Sequence, residues 1–416
     1  MLLQVIPTSL WLSLLLPLWT TAADPGIPDY VLKYAPLVFL DVNELYFPSD
    51  IGAQIPNTHL DLNFTPVAEP RNTDLTNLSD LNQAGGNCTT DDFDACPLYL
   101  TFNGNITSDP PWLHGVVPDS VGATNGAISC AVVVTDHGDG IVDAYYFYFY
   151  AFNLGLVIQG AGIPPEFAGR VAGNHLGDWE HTMTRFKNGQ PQTIWFSAHD
   201  SGNVYTYDAL SKNGTRHIVY SALGGHPNYP IPGIHSRNET VIILNDTTSA
   251  GPLWDPVRSA YFYTFTPTSS TNGTFRAAGS TPDAPIDWLY FLGRWGDKQY
   301  NASNPIQFNF LNLEHTWDDG PTGPLDKDLN RTETCPDRVS PCPTTTKLPT
   351  ITGDPTPSQT VARTKTATVS STTSELPASS SQGGAASSTP SGGYGPHPVY
   401  VSRPALYALG ASFLWL

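Results

Sequence analysis

The chain has 416 residues, of which 13% are charged and 11% are aromatic, and its formal net charge is −18. Few charges beside 36 Gly and 38 Pro exclude a coiled coil or helical bundle, which are rich in Ala, Glu, Lys and Leu. The acidic balance excludes a nucleic-acid-binding surface, because contacts to phosphates need basic side chains. It favours cations, or neutral ligands such as glycans, as partners.

The first 22 residues have the pattern of a secretory signal peptide. An apolar core, Leu10–Leu18, is followed by small residues, and it is shorter than the ~20 apolar residues that a membrane span needs. A membrane anchor is the alternative. The body that follows, residues 23–342, holds 15 basic and 35 acidic residues. The acidity therefore belongs to the predicted folded part of a secreted protein.

Short runs of β-branched and aromatic residues recur between residues 30 and 320, separated by turn sequences such as HGDG at 137–140 and KNGQ at 187–190. This pattern predicts an all-β fold, a β-sandwich of many short strands with long loops. The run YYFYFY, Tyr145–Tyr150, places aromatic rings on both faces of one strand. We expect a central strand covered on both sides, with a pocket wall as the alternative.

The cysteines and glycosylation sequons fit an oxidising, secretory environment. Cys88 and Cys96 bracket one short segment and Cys335 and Cys342 bracket another, so each pair could close a loop, although five cysteines allow other pairings. Cys130 is then left as a buried thiol. Ten Asn-X-Ser/Thr sequons occur, and Asn87 is the least suited to glycosylation because Cys88 follows it. The other nine predict N-glycosylation on loops or exposed edges: Asn63, Asn77, Asn105, Asn213, Asn238, Asn245, Asn272, Asn301 and Asn330.

The densest chemistry lies in NHLGDWEHTMTRF, residues 174–186. In a strand, Asp178 and Glu180 face the same side, and Gly177 lets the chain turn so that His175 lies over that face. Adjacent desolvated carboxylates repel each other, and a divalent cation would relieve the repulsion. Oxygen donors with one imidazole favour Ca²⁺, Mg²⁺ or Mn²⁺ over Zn²⁺. An exposed acidic strand end explains the spacing equally well.

Further histidines follow strands in glycine-containing turns. His199 and Asp200 lie in WFSAHDSG, and His226 and Tyr229 lie in LGGHPNYP. Turns after successive strands predict one rim of the sandwich, where these four residues would contact a ligand. A Ser197-based catalytic triad is disfavoured, because a triad is a spatial arrangement and no GxSxG motif is present. We expect no organic cofactor, since neither a GxGxxG nor a P-loop motif occurs.

The composition changes abruptly after residue 342. In residues 343–391, 23 of 49 are Ser or Thr, which cannot bury a core and predicts a disordered, O-glycosylated stalk. Small residues, a polar spacer and the apolar Ala405–Leu416 then follow in the order of a GPI-attachment signal. Residues 392–416 would be removed, and the protein would be anchored at the outer face of the plasma membrane or in the cell wall. The alternative is a soluble protein that simply ends in a hydrophobic segment. The attachment residue would be Ser391, Gly392 or Gly393.

Six ordered motifs resemble the fungal vacuolar protein sorting-associated protein 62 family. They extend from about Tyr34 to Cys335, and the family's name reflects a sorting phenotype rather than a biochemical activity. The motifs are YFYFYAFNLG (146–155), GNHLGDWEHTMTRF (173–186), WFSAHDSG (195–202), VYSALGGHPNYP (219–230), GPLWDP (251–256) and FLGRWGDK (291–298).

A second resemblance is more remote. GNHLGDWE (173–180), followed by SAHD (197–200), is similar to the GHRHDWE heptapeptide and SAHG-type turn of the necrosis- and ethylene-inducing peptide-like proteins, which are secreted β-sandwiches. In that family a divalent cation helps to bind the sugar head group of a membrane sphingolipid. A further family ligand falls near Asn153, which keeps an oxygen but not the charge. Leu176 and Gly177 depart from the motif, so toxicity and head-group specificity are not implied. The resemblance implies cation-binding roles for His175, Asp178 and Glu180.

Three functions follow from these patterns. The favoured one is a secreted, GPI-anchored surface glycoprotein that uses a divalent-cation site to bind glycan or glycolipid head groups. The second is a metal-dependent extracellular hydrolase, with His199 or His226 as the acid or base. The third is a non-catalytic protein, either related to vacuolar sorting or structural in the cell wall.

Overall fold

The computed structural model describes most of the predicted body and the first residues beyond it. The predicted signal peptide, the GPI-attachment residues and all of the stalk after residue 350 lie outside the described residues, as do Asn272 and the side chain of Asn238. Every described residue belongs to the first of two compact units, Met1–Pro357. The described residues are 26–68, 72–86, 88–160, 163, 165–239, 242–268, 273–310, 314–339 and 341–350, with the side chains of 237–242 left out.

The described residues are mostly strands, with one α-helix, α1 (Asp29–Lys33), and eight 3₁₀ helices. The 3₁₀ helices are Ile51–Asn57, Leu78–Ala84, Ile106–Ser108, Pro111–His114, Tyr207–Ala209, Pro256–Ser259, Asp287–Tyr290 and Pro324–Lys327. The strands are β1 (Leu37–Phe39), β2 (Thr58–Leu62), β3 (Thr65–Pro66), β4 (Leu98–Phe102), β5 (Cys130–Gly138), β6 (Ile141–Asn153), β7 (Leu156–Val157), β8 (Val171–Ala172), β9 (His175–Lys187), β10 (Gln190–Ala198), β11 (Ser201–Thr206), β12 (Lys212–Asn213), β13 (Arg216–Ser221), β14 (Asn228–Tyr229), β15 (Gly233–Glu239), β16 (Ile242–Thr248), β17 (Leu253–Trp254), β18 (Ala260–Thr266), β19 (Thr274–Ala277), β20 (Asn309–Phe310), β21 (Glu314–His315) and β22 (Thr344–Thr345).

The largest sheet has eight strands in the order β19-β18-β5-β6-β9-β10-β11-β22. The five central strands of this sheet, β5, β6, β9, β10 and β11, pair with their neighbours in antiparallel fashion. Strand β18 pairs parallel with β5, and β22 pairs parallel with β11. A second sheet orders β12-β13-β1-β17, with β14 also paired to β13, and a third orders β3-β2-β4. The remaining strands form three two-stranded ladders, β7-β8, β15-β16 and β20-β21.

Two tight turns fix the register of the central strands. Asp139-Gly140 joins β5 to β6, and Asn188-Gly189 joins β9 to β10, and all four residues have positive φ, at 51°, 74°, 49° and 75°. Two-residue hairpin loops need positive φ because it matches the twist of the flanking strands, and Asp, Asn and Gly adopt it most readily. The turn sequences HGDG and KNGQ therefore act as predicted.

Strand β6 is covered on both faces, as predicted. Alternate rings enter the two main hydrophobic clusters, because side chains along a strand alternate in direction. One cluster contains the strands of the second sheet, including Val38 and Trp254, and the other contains Leu60 and Leu98 of the third. The all-β sandwich prediction is thus confirmed, with a small third layer added. The six fully buried rings of β6 are Tyr145, Phe147 and Phe149 on one face and Tyr146, Tyr148 and Tyr150 on the other.

Both predicted disulfides are present. Cys88 is bonded to Cys96 and Cys335 to Cys342, while Cys130 is a buried free thiol. The body also continues slightly beyond the predicted boundary at residue 342. Strand β22 adds to the edge strand β11, because β-prone threonines there meet backbone groups of β11 that would otherwise be unpaired.

The described sequons differ in exposure. Asparagine side chains are exposed at five of them and half-buried at Asn77 and Asn245, where the side-chain amides donate hydrogen bonds to Asn72 O and Gln159 Oε1. Use of these sequons stays a prediction. The five exposed sequon residues are Asn63, Asn105, Asn213, Asn301 and Asn330.

No described helix has the length and hydropathy needed to cross a bilayer.

Candidate functional site

A polar cavity of about 660 Å³ lies where β6 ends and β9 begins. Antiparallel pairing sets Asn153 beside His175, and Tyr150 and Tyr148 beside Asp178 and Glu180. The four residues predicted to hold a cation therefore line one cavity, although Asn153 lies 22 residues or more before the others in the sequence. We call Asn153, His175, Asp178 and Glu180 the donor wall.

Gly177 gives the donor wall its shape. Its φ is +65°, and a Cβ atom there would lie 2.1 Å from the carbonyl oxygen of Trp295, so only glycine fits. The turn lets His175 Nδ1 donate a hydrogen bond to the carbonyl oxygen of Gly177, at 2.7 Å. Because a carbonyl oxygen only accepts, Nδ1 carries a proton. Burial lowers the pKa of His175, which favours the neutral ring with a lone pair on Nε2. As alternation predicts, Trp179 packs in the core, 4.7 Å from the Phe149 ring.

Asp178 is held by His226 rather than by a solvent-exposed partner. His226 Nδ1 donates to Asp178 Oδ2 at 2.8 Å, and His226 Nε2 donates to the carbonyl oxygen of Tyr46 at 2.9 Å. Burial opposes the charged form, but Glu44, 3.8 Å away, and Asp178 raise the pKa of His226 to about 10. His226 is therefore an imidazolium between two carboxylates, stacked 3.6 Å from the ring of Tyr150.

This burial corrects the predicted position of His226. Its side chain is 0% exposed, so it lies beneath the sandwich rim and cannot contact a ligand from solvent. The glycine-containing turn around it suggested exposure, but a positive φ of 60° at His226 and the pairing of Tyr229 with Tyr220 fold the turn inward. Glu44, which sequence analysis missed, lies far away in the chain and belongs to no local pattern.

Glu180 accepts a hydrogen bond from the hydroxyl of Ser197 and a longer one from Asn228 Nδ2, at 3.5 Å. Burial and the neighbouring Asp178 raise its pKa well above the ordinary range of a carboxyl group. The Ser197 oxygen also accepts from the backbone N–H of His181, at 2.9 Å. Ser197 is thus bonded to a carboxyl group and a peptide N–H.

His199 and Tyr229 share one buried carboxylate. His199 Nε2 lies 2.9 Å from Asp246 Oδ2, and the Tyr229 hydroxyl donates to the same oxygen at 2.7 Å. Asp246 is fully buried. His199 and Asp200 line the cavity, whereas Tyr229 does not, so only part of the predicted rim is brought together. Sequence analysis missed Asp246 because it lies on the separate β15-β16 ladder.

The side chains of the donor wall are of the chemical types that bind a divalent cation, but they do not lie close enough together to bind one in this structure. Within the described parts of the chain, no three His, Cys, Asp or Glu side chains are close enough together to hold a metal ion. The donors themselves are suitable: His175 is held in place through Nδ1, which leaves Nε2 available, and burial, followed by the neighbouring Asp178, raises the pKa of Glu180. Asn153 donates through Nδ2 to Gly173 O at 2.6 Å, which leaves its side-chain oxygen available. A bound cation would therefore require these side chains to converge.

Other carboxyl groups around the cavity also repel one another. Burial, followed by Asp319 and Asp200, raises the pKa of Asp318 to about 6. All three aspartates line the cavity. Repulsion among acids that share a space is what a bound cation would relieve.

Two solved structures align with this chain at low similarity. One is necrosis and ethylene inducing protein 2 from the agent of cocoa's witches' broom disease, with 11% identity, 57% of this chain and 74% of that chain covered, and a TM-score of 0.22. The other, described as a toxin fold for microbial attack and plant defence, gives 11% identity, 56% and 72% coverage, and a TM-score of 0.22. A TM-score this low carries no conclusion about the fold or the site, so the more remote resemblance stays a prediction.

Comparison of amino-acid sequences finds relatives that are more similar to this chain than these two structures are. Residues 132–316 match the family model described as vacuolar protein sorting-associated protein 62, a range that contains the whole donor wall. A Saccharomyces cerevisiae protein provisionally named vacuolar protein sorting-associated protein TDA6 is 35% identical over 335 residues, which cover 75% of this chain and 69% of the relative. Vacuolar protein sorting-associated protein 62 of the same yeast is 33% identical over 331 residues, covering 74% and 68%. The chain therefore belongs to the vacuolar protein sorting-associated protein 62 family.

Proposed function

We propose that this chain is a non-enzymatic binding module whose cavity takes a glycan or glycolipid head group together with a divalent cation. One observation carries the proposal: the donor wall gathers an imidazole, an amide and two carboxylates in a cavity of about 660 Å³. Cavities of roughly 300–1,000 Å³ are typical of small-ligand sites. The polar lining of this cavity suits a ligand with many hydroxyl groups better than it suits an apolar ligand.

The cation would be held by oxygen atoms of Asn153, Asp178 and Glu180 and by Nε2 of His175. When bound, it would neutralise the carboxylates and polarise hydroxyl groups of the ligand. Ca²⁺, Mg²⁺ and Mn²⁺ suit these donors better than Zn²⁺, because three of the four are oxygens. Asp200, at the mouth of the same cavity, and His199 would contact the ligand directly.

Hydrolysis is the second candidate, and the pair of His199 and Asp246 favours it. A buried carboxylate on Nε2 orients the imidazole and leaves Nδ1 without a hydrogen bond to a described residue, as a general base requires. His226 cannot take that role, because both of its ring nitrogens are engaged. Against a serine-based hydrolysis, the hydroxyl of Ser197 is bonded to Glu180 rather than to His199.

We also propose that the body is displayed on the cell surface through a GPI anchor. The signal-peptide pattern, the Ser/Thr-rich segment and the terminal apolar tail support this location, and the two disulfides fit an oxidising compartment. Treating intact cells with phosphatidylinositol-specific phospholipase C should release the protein. The names of the two yeast relatives connect them with vacuolar protein sorting, and retention of the protein in internal membranes would favour that third function.

The decisive experiment titrates the secreted protein with Ca²⁺, Mg²⁺, Mn²⁺ and Zn²⁺ by calorimetry. The wild type should bind one cation, and Asp178→Asn should weaken binding at least about tenfold. Asp283→Asn, at an exposed position that does not line the cavity, is the matched control and should bind as the wild type does. Equal uptake by all three proteins would refute the cation site.

A glycan and glycolipid array, probed with and without a chelator, then tests the ligand. Binding that the chelator abolishes supports the proposed module. Turnover of a bound glycan, lost in His199→Gln and in Asp246→Asn, would instead establish the hydrolase. Absence of any ligand in both conditions would favour the structural function.

A further inference from the structure

Two unpaired cations share the cavity with the donor wall. Lys327 and Arg338 both line it, and neither forms an ion pair with any residue that the structure describes. The ammonium group of Lys327 donates a hydrogen bond to Thr322 Oγ1, at 3.3 Å. The third cation of the lining, Arg294, differs because it is paired with Asp94 at 2.7 Å. We call Lys327 and Arg338 the basic patch.

A further positive charge lies behind the basic patch. Arg331 is only 1% exposed, and its guanidinium donates to the carbonyl oxygens of Asp328, Lys327 and Thr334 and to His181 Nε2. Because that imidazole nitrogen accepts, His181 is neutral. The acceptors of these hydrogen bonds are carbonyl oxygens and an imidazole, while the carboxylates of Asp328 and Asp143 attract Arg331 over a longer distance. Arg331 therefore adds only part of its positive field to that of the basic patch.

This arrangement is unexpected in a body with 15 basic and 35 acidic residues. Asp326 and, less strongly, Glu180 line the same cavity and attract Lys327 over a distance, but no ion pair within 4.0 Å joins Lys327 to either carboxylate. Where acids outnumber bases so heavily, cations normally find carboxylate partners. Two cations left without one, at the wall of a ligand-sized cavity, indicate that an anion is supplied from outside.

Local structure holds the basic patch in place. Lys327 ends the 3₁₀ helix Pro324–Lys327, and Arg338 lies inside the loop that the Cys335–Cys342 disulfide closes. The residue before it, Asp337, donates its backbone N–H to Asp328 Oδ2 at 2.7 Å. Arg338 itself is exposed at the cavity's mouth. The cross-linked loop therefore delivers a guanidinium to the opening without burying it.

We propose that the basic patch is an anion subsite and that the ligand of this cavity carries a phosphate group next to its hydroxyl groups. The inference rests on the proposed function, because it names the chemical class of ligand for the same cavity. A guanidinium binds two phosphate oxygens at once, and an ammonium adds a point charge, so the pair is suited to a phosphate that enters from solvent. The donor wall then contacts the sugar hydroxyls and the cation.

The test titrates the secreted full-length protein with inorganic phosphate and follows the ³¹P resonance by NMR. Saturable broadening is expected for the wild type, and Lys327→Met and Arg338→Gln should each weaken binding at least about tenfold. Arg338 is exposed, so its replacement should leave the fold intact. Lys187→Met and Arg276→Gln, two exposed positions away from the cavity, are matched controls and should bind as the wild type does.

Two further arms identify the source of the phosphate. Mannose 6-phosphate tests a free sugar phosphate, and phosphatidylcholine vesicles with or without phosphatidylinositol 4-phosphate test a lipid head group. Phosphate binding that persists in both basic-patch variants, or is absent from the wild type, overturns the anion subsite. Phosphate binding that depends on the patch, without any cation uptake at Asp178, sustains the subsite while the proposed cation module fails.

Discussion

The buried imidazolium of His226 should make an unusually large contribution to stability. It lies 2.8 Å from Asp178 and 3.8 Å from Glu44, whose side chains are 7% and 1% exposed. Replacing it by Gln removes the positive charge and leaves two carboxylates in a poorly solvated space. Breaking a buried ion pair on one side costs about 3–5 kcal/mol, so we expect His226→Gln to lower the free energy of unfolding by that amount.

Two variants separate the charge from the ring. His226→Phe keeps an aromatic ring against Tyr150, where the present rings stack 3.6 Å apart, and it should be as unstable as His226→Gln if the charge dominates. His59→Gln is the matched surface control. His59 is 34% exposed and lies 3.2 Å from Asp61, so its loss should cost less than about 1 kcal/mol.

The assay is guanidinium unfolding followed by tryptophan fluorescence, at pH 7 and in the presence of a chelator so that no ion substitutes for the lost charge. The double variant with Asp178→Asn should be more stable than the sum of the two single effects, by about 1 kcal/mol or more. A loss in His226→Gln no larger than in His59→Gln, or strict additivity in the double variant, would show that the imidazolium does not hold the carboxylates.

Three further predictions concern stability. Burial and then Arg216 lower the pKa of His217 to about 3, so between about pH 6.5 and pH 3 the unfolded chain binds a proton that the folded chain does not. The free energy of unfolding should therefore fall by about 1.4 kcal/mol for each pH unit below about 6.5. Guanidinium unfolding at pH 7 and pH 5 should show a smaller loss of stability in His217→Phe than in the wild type, and an equal loss would contradict this prediction. Gly177→Ala should lower the free energy of unfolding by about 3 kcal/mol or more, since φ is positive and the added Cβ meets a carbonyl oxygen. Gly214→Ala, where φ is +63° and the added Cβ enters open space, should lower it by about 1 kcal/mol. Equal losses of stability on thermal melting would argue against the contact at Gly177. Cys342→Ser opens the loop that carries Arg338 of the basic patch, so it should lose about 2 kcal/mol and weaken phosphate binding measured by NMR. Unchanged binding would mean that the loop needs no cross-link.

Local patterns were enough to predict the central strand and three residues of the donor wall, whereas Asn153 was predicted only from the more remote resemblance. Alternation in YYFYFY gave a strand covered on both faces, and the same alternation set Asp178 and Glu180 on one side of β9, with Gly177 bending His175 towards them. Each of these inferences depends on residues within a few positions of one another. Backbone geometry then determines the outcome whatever the rest of the chain does.

The partners of these residues could not be predicted, because they come from distant loops. Glu44, Asp246, Lys327 and Arg338 lie on separate elements, and none belongs to a periodic pattern in the sequence. His226 shows the limit most clearly, since glycine-containing turns are usually exposed but this one folds inward against Tyr150. Only the tertiary structure decides whether such a turn lies at a rim or beneath it.

The charge of His226 changes what a cation in this cavity would do. If two carboxylates on β9 lacked any internal counterion, a metal ion would be required for folding, as in small metal-dependent domains. Here the imidazolium already neutralises Asp178, and the hydroxyl of Ser197 binds Glu180. We therefore expect the body to fold without an ion, and the proposed ion would bind reversibly, together with the proposed ligand. Chelation should then abolish ligand binding while leaving the unfolding transition nearly unchanged, whereas loss of the fold on chelation would make the ion structural.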